Sequence, residues 1–213
     1  MNSEISPERG WRGSRELWLG AATEALIEGG IDAVKILPLA KKLGLSRTSF
    51  YWFFKDREAL LEALLAHWEA VTTRPLLTAS REYAATETEA MLNLVSIFLS
   101  DEGFNARLDS AVRAWGRQDP AVLPKVHEAD EQRRRALKEL LQRWGHSEPD
   151  ADVRAWTIYL VQMGYIALQL EETLETRLAR FPDYVQVYTS RYPTDEEMAR
   201  FKARLGLNPE FPR

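Results

Sequence analysis

The sequence predicts an all-α protein with a small N-terminal helix-turn-helix domain and a larger helical domain after it. Apolar residues recur about every 3.6 residues along most of the chain, which is the spacing of one face of a helix. A turn signal joins two short amphipathic segments within residues 35–54. No segment alternates apolar and polar residues as a half-buried strand would. Together these observations indicate helices packed against helices.

The composition places the chain among ordinary globular proteins. It has 213 residues, of which 45% are hydrophobic and 28% are charged. It contains no cysteine, which excludes disulfides, zinc–thiolate sites and iron–sulfur clusters and fits a reducing cytoplasm. The polar N-terminus lacks the apolar core of a signal peptide, and the most apolar run, residues 157–170, is too short to span a bilayer. We therefore expect a cytoplasmic protein that is not inserted in a membrane.

The first helix is predicted to follow a flexible N-terminal arm, residues 1–12. Ser14 is placed as its N-cap, and an apolar stripe continues from there to residue 28. Gly29 and Gly30 then end the helix.

Two short helices joined by a tight turn are predicted next. The first covers residues 36–43, and Gly44 follows it, where glycine adopts the left-handed backbone most cheaply. Ser46 can cap the second helix, residues 47–53. That second helix has an inward face with Phe50, Phe53 and Phe54 and an outward face with Arg47, Thr48, Tyr51 and Trp52.

Length and charge suit this second helix to a DNA groove. At about 1.5 Å per residue it is roughly 11 Å long, and the major groove of B-DNA is about 12 Å wide. The chain has a net charge of −4, but residues 35–57 hold six cations and a single acid, Asp56. Phosphate binding needs such a local basic patch rather than a basic whole chain.

At these positions the sequence resembles the DNA-binding signature of TetR-type transcriptional regulators. The resemblance covers about residues 12–72, and the positions that carry it are Leu39-Ala40, Leu43-Gly44-Leu45-Ser46, Ser49-Phe50-Tyr51, Phe54, Arg57-Glu58 and Leu60-Leu61. The chain departs from the pattern at Phe53, where histidine is frequent, at Lys35-Ile36, where a threonine commonly opens the first helix of the motif, and at Arg57, where lysine is common.

The resemblance implies DNA contacts from a set of residues in and beside the motif: Lys35, Arg47, Thr48, Ser49, Tyr51, Trp52 and Arg57. Arg47 is the first candidate for a guanine contact, because two N–H groups of its guanidinium can donate to guanine O6 and N7 together. Tyr51 corresponds to the family's phosphate-binding tyrosine, with Trp52 beside it, although both rings could be packing residues. Arg57 is expected to hold a phosphate at the start of the fourth helix, with a surface ion pair as the alternative.

A long fourth helix is predicted to join the two domains. Asp56 can cap it, and its apolar stripe runs to about residue 73. Arg74-Pro75 is the predicted break, since proline ends or kinks a helix. We therefore expect a DNA-binding domain at residues 13–73 and a helical ligand-binding and dimerisation domain at residues 75–213.

The second domain contains further helical patterns. They cover residues 88–99, 104–115, 120–144 and 150–175, followed by an irregular aromatic stretch at 181–192 and a short helix at 194–205. The helix at 150–175 has almost no polar face, so it must be covered on both sides. The helix before it offers the apolar residues Val122, Val126, Leu137, Leu140, Leu141 and Trp144. In the TetR family the last long helices pair across a two-fold axis, so the resemblance implies a homodimer through helices 120–144 and 150–175.

The resemblance also implies a pocket for an unknown small-molecule effector. Its candidate lining residues are Met91, Phe98, Trp115, Trp156, Tyr159 and Met163. No cofactor or metal site is expected: His127, with Asp130 and Glu131 one turn on, is interpreted as part of a solvated helix face. Asp109 and Arg113, four residues apart, are interpreted as a structural ion pair.

Three functional hypotheses remain at this stage. The first is a homodimeric DNA-binding regulator, most often a repressor in this family, which binds double-stranded DNA at a palindromic operator and is released by an effector. The second is a helical small-molecule-binding or enzyme domain with a vestigial helix-turn-helix. The third is a module that binds protein. The basic cluster at 35–57 favours the first, and without a phosphate loop, a cysteine nucleophile or a metal-spaced cluster in the sequence we do not expect an enzyme.

Overall fold

The structure, a computed structural model, describes residues 13–99, 103–170 and 172–207. Within these ranges most residues are helical and none lies in a strand, which confirms the all-α class. The predicted arm at residues 1–12 lies outside the described residues. The α-helices are α1 (Arg15–Gly29), α2 (Ile36–Leu43), α3 (Arg47–Phe50), α4 (Arg57–Trp68), α5 (Arg74–Ala79), α6 (Glu87–Ser96), α7 (Ala106–Gln118), α8 (Leu123–Arg143), α9 (Glu148–Leu168), α10 (Leu174–Thr189) and α11 (Asp195–Arg204).

The chain divides into two compact units. Residues 1–66 form the first, called the head here, and residues 67–213 form the second, called the body. The division falls within α4, whereas the sequence predicts a domain boundary after residue 73. The head contains the helix-turn-helix, and the body contains the remaining helices.

Local signals in the head produce the predicted helix ends. Ser14 Oγ accepts a hydrogen bond from Leu17 N at 3.1 Å at the start of α1. Gly44 has φ of 65° and ψ of 26°, the left-handed conformation expected after α2. Asp56 Oδ1 accepts from Ala59 N at 2.8 Å at the start of α4. The regular part of α3 ends at Phe50 rather than at the predicted residue 53, and the chain continues as a hydrogen-bonded turn.

An aromatic cluster forms the centre of the head. Phe50 is fully buried, and its ring meets Trp18 edge-on with the centroids 5.3 Å apart. Phe54 stacks on Phe50 from the other side at 5.5 Å. Of the three inward phenylalanines predicted, Phe50 and Phe54 are buried and Phe53 is partly exposed. Because Phe50 belongs to α3, this packing fixes the orientation of that short helix.

The predicted break at Arg74-Pro75 is not a break in helical structure. α4 is followed by a π-helix, Glu69–Thr73, and α5 begins directly after it with Pro75 in its first turn. Proline has no N–H and cannot donate to Val71 O, four residues earlier. Asn105 N donates to that oxygen instead, at 3.1 Å. Asn105, in the turn before α7, thus replaces the donor that the helix lacks at Pro75.

The pair α8 and α9 organises the core of the body. The apolar residues of α8 that were expected to face a second copy are instead mostly buried within this domain: Val122, Val126, Leu137, Leu140 and Leu141, with Trp144 packed against the same core. α9 ends at Leu168, before the predicted end at 175, because Gln169 adopts a left-handed conformation. Ser147 precedes α9 but makes no side-chain capping bond.

The aromatic stretch expected to be irregular at 181–192 is mostly helix. α10 continues through Pro182, which lies inside it. Phe181, Val185 and Tyr188 are buried along one face of α10, and this burial outweighs the hydrogen bond that the proline removes. The short terminal helix is confirmed as α11, with a capping box between Thr194 and Glu197. In the described parts of the chain no helix has the length and apolar character to cross a membrane.

Candidate nucleic-acid interface and cavity

The outer side of α3 and the turn after it form an exposed surface with one cation and two aromatic rings. It consists of Arg47, Thr48, Tyr51 and Trp52 and is called the α3 surface below. All four are exposed, and the tryptophan retains 64% of its accessible area. On the opposite side Ser49 and Phe50 are buried. The two-faced helix predicted from the sequence is therefore present.

Arg47 and Tyr51 support one another on this surface. Arg47 Nη2 donates to Tyr51 Oη at 3.1 Å, and the guanidinium carbon lies 5.9 Å from the centroid of the tyrosine ring. The two residues are one helical turn apart, so the contact places both polar groups on the same exposed side. A guanidinium retains further N–H donors after one such bond, and these are available to a planar acceptor.

Ser49, predicted to contact DNA, is used within the head. Its side chain is 5% exposed, and Ser49 Oγ donates to Ser46 O at 2.7 Å. Its backbone N–H donates to Ser46 Oγ at 3.2 Å. These two bonds fix the first turn of α3, and they make Ser49 a residue that positions Arg47 and Thr48.

Arg57 is also engaged within the head. Arg57 Nε donates to Val34 O at 2.7 Å, and Nη2 donates to Ile31 O at 3.0 Å. These bonds tie the start of α4 to the turn before α2. The sequence predicts a phosphate contact from this guanidinium, but the structure gives it a role in holding the helices of the motif together.

The lysines around the motif differ in their partners. Lys35 and Lys41 are exposed, and no carboxylate of a described residue forms an ion pair with either of them or with Arg47. Lys42 is paired with Glu24 on α1 at 2.9 Å, and the pKa of Lys42 is raised by this hydrogen bond. The head therefore keeps uncompensated positive charge beside the α3 surface, as phosphate binding requires.

Comparison with known proteins agrees with this geometry. The family model described as bacterial regulatory proteins, tetR family, matches residues 19–64. The class D tetracycline repressor protein of Escherichia coli is 45% identical over 51 residues, which is 24% of this chain and 23% of that protein. The class H tetracycline repressor protein of Photobacterium damsela subsp. piscicida matches to the same extent. Over residues 19–64 this chain is therefore similar to TetR-family regulators.

The match to these repressors spans about a quarter of their length. Solved structures match more of the chain. AmtR of Mycobacterium smegmatis has a TM-score of 0.63 and 18% identity, with 96% of this chain and 100% of that chain covered. GusR of Salmonella enterica has a TM-score of 0.61 and 16% identity, with 97% and 98% covered. At this identity the likeness concerns the fold alone, which this chain shares with these proteins along most of its length.

The body contains a cavity of about 420 Å³. Its walls come from the 3-10 turn at Ile97–Leu99, the residues around the start of α7, the C-terminal half of α9 and the first turn of α10. The lining residues are Phe98, Phe104, Ala106, Arg107, Ser110, Gln162, Tyr165, Ile166, Gln169, Leu170 and Arg177. The volume lies within the range of about 300–1,000 Å³ that is usual for small-molecule sites.

The cavity overlaps the predicted pocket at a single lining residue, Phe98. Met91 is fully buried in the core of the body. Trp115 is buried as well, and its Nε1 donates to Asp119 at 3.3 Å. Trp156 is exposed, with the guanidinium of Arg134 4.9 Å from its ring centroid. These residues belong to the packing and the surface of the body and do not line the cavity.

Tyr159 and Met163 do not line the cavity, and both contact a buried ionic network. Arg113 Nη2 donates to Tyr159 Oη at 3.1 Å and contacts Met163 Sδ at 3.4 Å. Burial raises the pKa of Tyr159 above its ordinary value, so the phenol stays protonated. One sequence signal did point to the cavity: Gln162 and Gln169 are polar residues in the most apolar segment, and both line it.

The network is centred on Arg133 and Asp109, both fully buried. Arg133 Nη1 donates to Asp109 Oδ1 at 3.0 Å, and Trp68 Nε1 donates to the same oxygen at 2.8 Å. Burial alone would raise the pKa of Asp109, but the guanidiniums of Arg133 and Arg113 outweigh it and lower that pKa. The predicted pair of Asp109 and Arg113 is confirmed at 2.7 Å.

The same arginine connects this network to the π-helix and to the cavity wall. Arg133 Nη2 donates to Thr72 Oγ1 at 2.9 Å, and Nε donates to Thr73 Oγ1 at 3.0 Å. Its guanidinium carbon lies 5.2 Å from the ring centroid of Phe104, which lines the cavity. A single buried side chain therefore contacts the π-helix, α7 and the cavity wall.

Proposed function

We propose that this protein is a homodimeric transcriptional regulator that binds a palindromic operator in double-stranded DNA through its α3 surface. We further propose that it acts as a repressor and that a small molecule in the cavity of the body releases it. The observation that carries the proposal is the α3 surface itself: exposed Arg47, Thr48, Tyr51 and Trp52 on a helix whose opposite face is locked into the aromatic core of the head.

The packing behind α3 supports a readout role. A recognition helix must hold its side chains in a fixed register against base edges. Phe50 is buried between Trp18 and Phe54, and Ser46 caps the helix, so its first turn has little freedom. Arg47 lies in that first turn, where helix-turn-helix proteins contact bases. Lys35 and Lys41 add positive charge that can meet the phosphates on either side.

A dimer supports the proposal on energetic grounds. α3 has four residues, so one head contacts few base pairs, whereas two heads on a common frame bind half-sites about 34–36 Å apart or a multiple of that. The exposed side of α9 is a suitable contact: it carries Val153, Trp156, Thr157, Leu160 and Leu168. The residues that alternate with them are buried in the body, among them Ala155, Ile158 and Tyr159.

The exposed α9 stripe needs a cover, because the spacing of its apolar residues gives a continuous apolar strip along one helix face. A second copy of the same helix across a two-fold axis supplies a complementary surface. α8 is expected to contribute at its polar edge, since its apolar residues are already buried within the body.

The repressor assignment follows the relatives matched by the head, which are named as repressor proteins. The effector assignment follows from the cavity of about 420 Å³ and from Phe104, which links the cavity wall to Arg133. In this proposal the protein works in the cytoplasm by binding alone and performs no catalysis.

A gel-shift experiment with the DNA that flanks the protein's own coding region tests the proposal. We expect a retarded complex that footprints a palindrome and weakens steeply as salt rises, since phosphate contacts release counterions. Arg47→Ala should relax the preference at one base pair of each half-site, and Glu128→Ala, at an exposed position on α8, should leave it unchanged. No complex with any of these fragments at low salt would contradict the proposal and favour a small-molecule-binding or protein-binding module.

A further inference from the structure

We propose that the cavity of the body selects an organic carboxylate with an aromatic ring. This inference deepens the effector part of the proposed function and rests on it for its regulatory consequence. Binding itself can be measured without DNA, so the two can fail separately. The observation behind it is a pair of guanidiniums, those of Arg107 and Arg177, on a cavity wall whose other residues are all uncharged.

The charge of the wall is one-sided. Arg107 and Arg177 both line the cavity, and no aspartate or glutamate does among the residues that the structure describes. Neither arginine forms an ion pair with a described carboxylate, in contrast to Arg113 and Arg133 nearby. Asp109, next to the lining residue Ser110, is already bound by those two nearby guanidiniums. The cavity therefore has positive charge that an anionic ligand can neutralise.

The geometry at Arg177 favours a planar anion. Its guanidinium carbon lies over the ring of Tyr165, 4.9 Å from the ring centroid, in a cation–π contact. The N–H groups of an arginine lie in the plane of the guanidinium and remain available at its edge. Two parallel N–H groups match the two oxygens of a carboxylate, and this bidentate pairing is stronger than a neutral hydrogen bond.

The apolar part of the cavity wall favours a ligand with an aromatic ring over a small inorganic anion. Phe98 and Phe104 have their ring centroids 4.9 Å apart, and both line the cavity together with Ile166 and Leu170. Aromatic side chains bind aromatic ligands through offset or edge contacts. A phosphate ion would leave these apolar walls uncovered and the volume of about 420 Å³ mostly unfilled.

The neutral polar residues of the wall include Ser110, Gln162 and Gln169. Gln162 is 7% exposed and lines the cavity from α9, and Ser110 lines it from α7. A carboxamide and a hydroxyl can each donate to a carboxylate or accept from a ring substituent. Few convergent polar groups in an apolar cavity are the usual arrangement of a site that orients a small ligand.

The test is a thermal-unfolding series on the whole chain without DNA. The probes are phenylacetate, phenylpropionate and naphthoate, each at millimolar concentration, with phenylpropionamide, hexanoate and inorganic phosphate as comparisons. We expect at least one aromatic carboxylate to raise Tm by roughly 5 °C. The matched amide, the aliphatic acid and phosphate should raise it by much less, because each lacks either the charge or the ring.

Two variants assign the effect to the cavity. Arg177→Gln and Arg107→Gln should each weaken binding of the effective carboxylate by about 10- to 100-fold, as expected for loss of a charge-assisted hydrogen bond. Arg117→Gln is the matched control: it lies on α7 with Arg107, is exposed, and does not line the cavity. Its affinity should stay at the wild-type value. Unfolding of each variant without ligand shows that the substitution leaves the fold intact.

Several results would overturn the inference. They are an equal shift with the amide, an equal shift with hexanoate or phosphate, full binding by the Arg107→Gln/Arg177→Gln double variant, and no shift with any of the three aromatic carboxylates. None of these results affects DNA binding by the α3 surface, which is measured separately by gel shift. Conversely, a protein that binds the carboxylate and no DNA would leave the cavity assignment standing and remove the regulator.

Discussion

Arg47 in the head and Arg133 in the body carry the same guanidinium in opposite surroundings. Arg47 is exposed, donates to Tyr51, and forms no ion pair with a described carboxylate. Arg133 is fully buried and donates to Asp109, Thr72 and Thr73. The first arginine keeps donors for an external partner, whereas those of the second are used within the protein.

The difference shows how the chain separates recognition from stability. A buried guanidinium must have its partners inside the fold, because an uncompensated buried charge is very costly. A recognition guanidinium must be left with spare donors at the surface, so it adds little to stability. Arg57 belongs with Arg133 in this comparison, although the sequence groups it with Arg47, because backbone carbonyls of the head accept its hydrogen bonds.

The largest expected effect is the loss of stability on replacing the buried Arg133. Arg133→Met leaves the carboxylate of Asp109 buried with one fewer cation, and it removes both hydrogen bonds to the π-helix. We expect the free energy of unfolding to fall by about 3–5 kcal/mol. Denaturant unfolding followed by circular dichroism measures it.

The control for that change is Arg135→Met, on the same helix. Arg135 is largely exposed and pairs with Glu131 at 3.6 Å. An exposed pair of this kind contributes about 0–1 kcal/mol. Equal losses for the two variants would show that the buried network does not hold the body together.

The next largest effect concerns the two faces of α9. Leu160 lies on the exposed stripe and is 58% exposed, and Leu160→Asp places a carboxylate against its own copy in the proposed dimer. Like charges at an interface cost several kcal/mol, so we expect dissociation to monomers at micromolar concentration. Analytical ultracentrifugation measures the change.

Val187→Asp is the matched control, because Val187 is equally exposed on α10 and lies off the stripe. It should leave the dimer intact. A wild-type mass for the Leu160→Asp protein would remove α9 from the interface.

A smaller effect separates the two roles open to Arg57. Arg57→Met removes its bonds to Val34 O and Ile31 O, and we expect a loss of about 1.5–3 kcal/mol in the stability of the head. DNA binding should weaken without a change in its salt dependence. Thermal unfolding together with a salt titration of binding gives both numbers, with Lys55→Met as the exposed control.

The opposite pattern would restore the phosphate role. In that case the stability of the Arg57→Met protein would be unchanged, and the slope of log affinity against log salt would fall by about one.

Local signals in the sequence were sufficient for much of the head. Ser14, Gly44, Ser46 and Asp56 end or begin helices where predicted, because a cap depends on backbone groups within four residues of it. The α3 surface follows from the same local geometry. The role of Arg57 could not be predicted, since its acceptors lie 23 and 26 residues away in the sequence.

The body was less accessible to sequence reasoning because its structure depends on distant contacts. The pair of Asp109 and Arg113 was visible at helical spacing, but Arg133, 24 residues from Asp109, was not. The stretch at 181–192 was expected to be irregular, yet most of it belongs to α10, whose Phe181, Val185 and Tyr188 are buried. The predicted cavity residues were methionines and aromatic residues of the predicted helices, whereas the actual lining depends on which helix faces converge.

Base readout by Arg47 is tested most directly by selecting binding sites from random duplex DNA. The selection is made with the wild-type protein, with Arg47→Ala, and with Lys41→Ala as a control. We predict that Arg47→Ala loses discrimination at one base pair in each half-site, worth about 1–3 kcal/mol. Lys41→Ala should keep every base preference and bind all sequences slightly less well. Identical selected sites for the wild type and Arg47→Ala would contradict the claim that the α3 surface reads DNA.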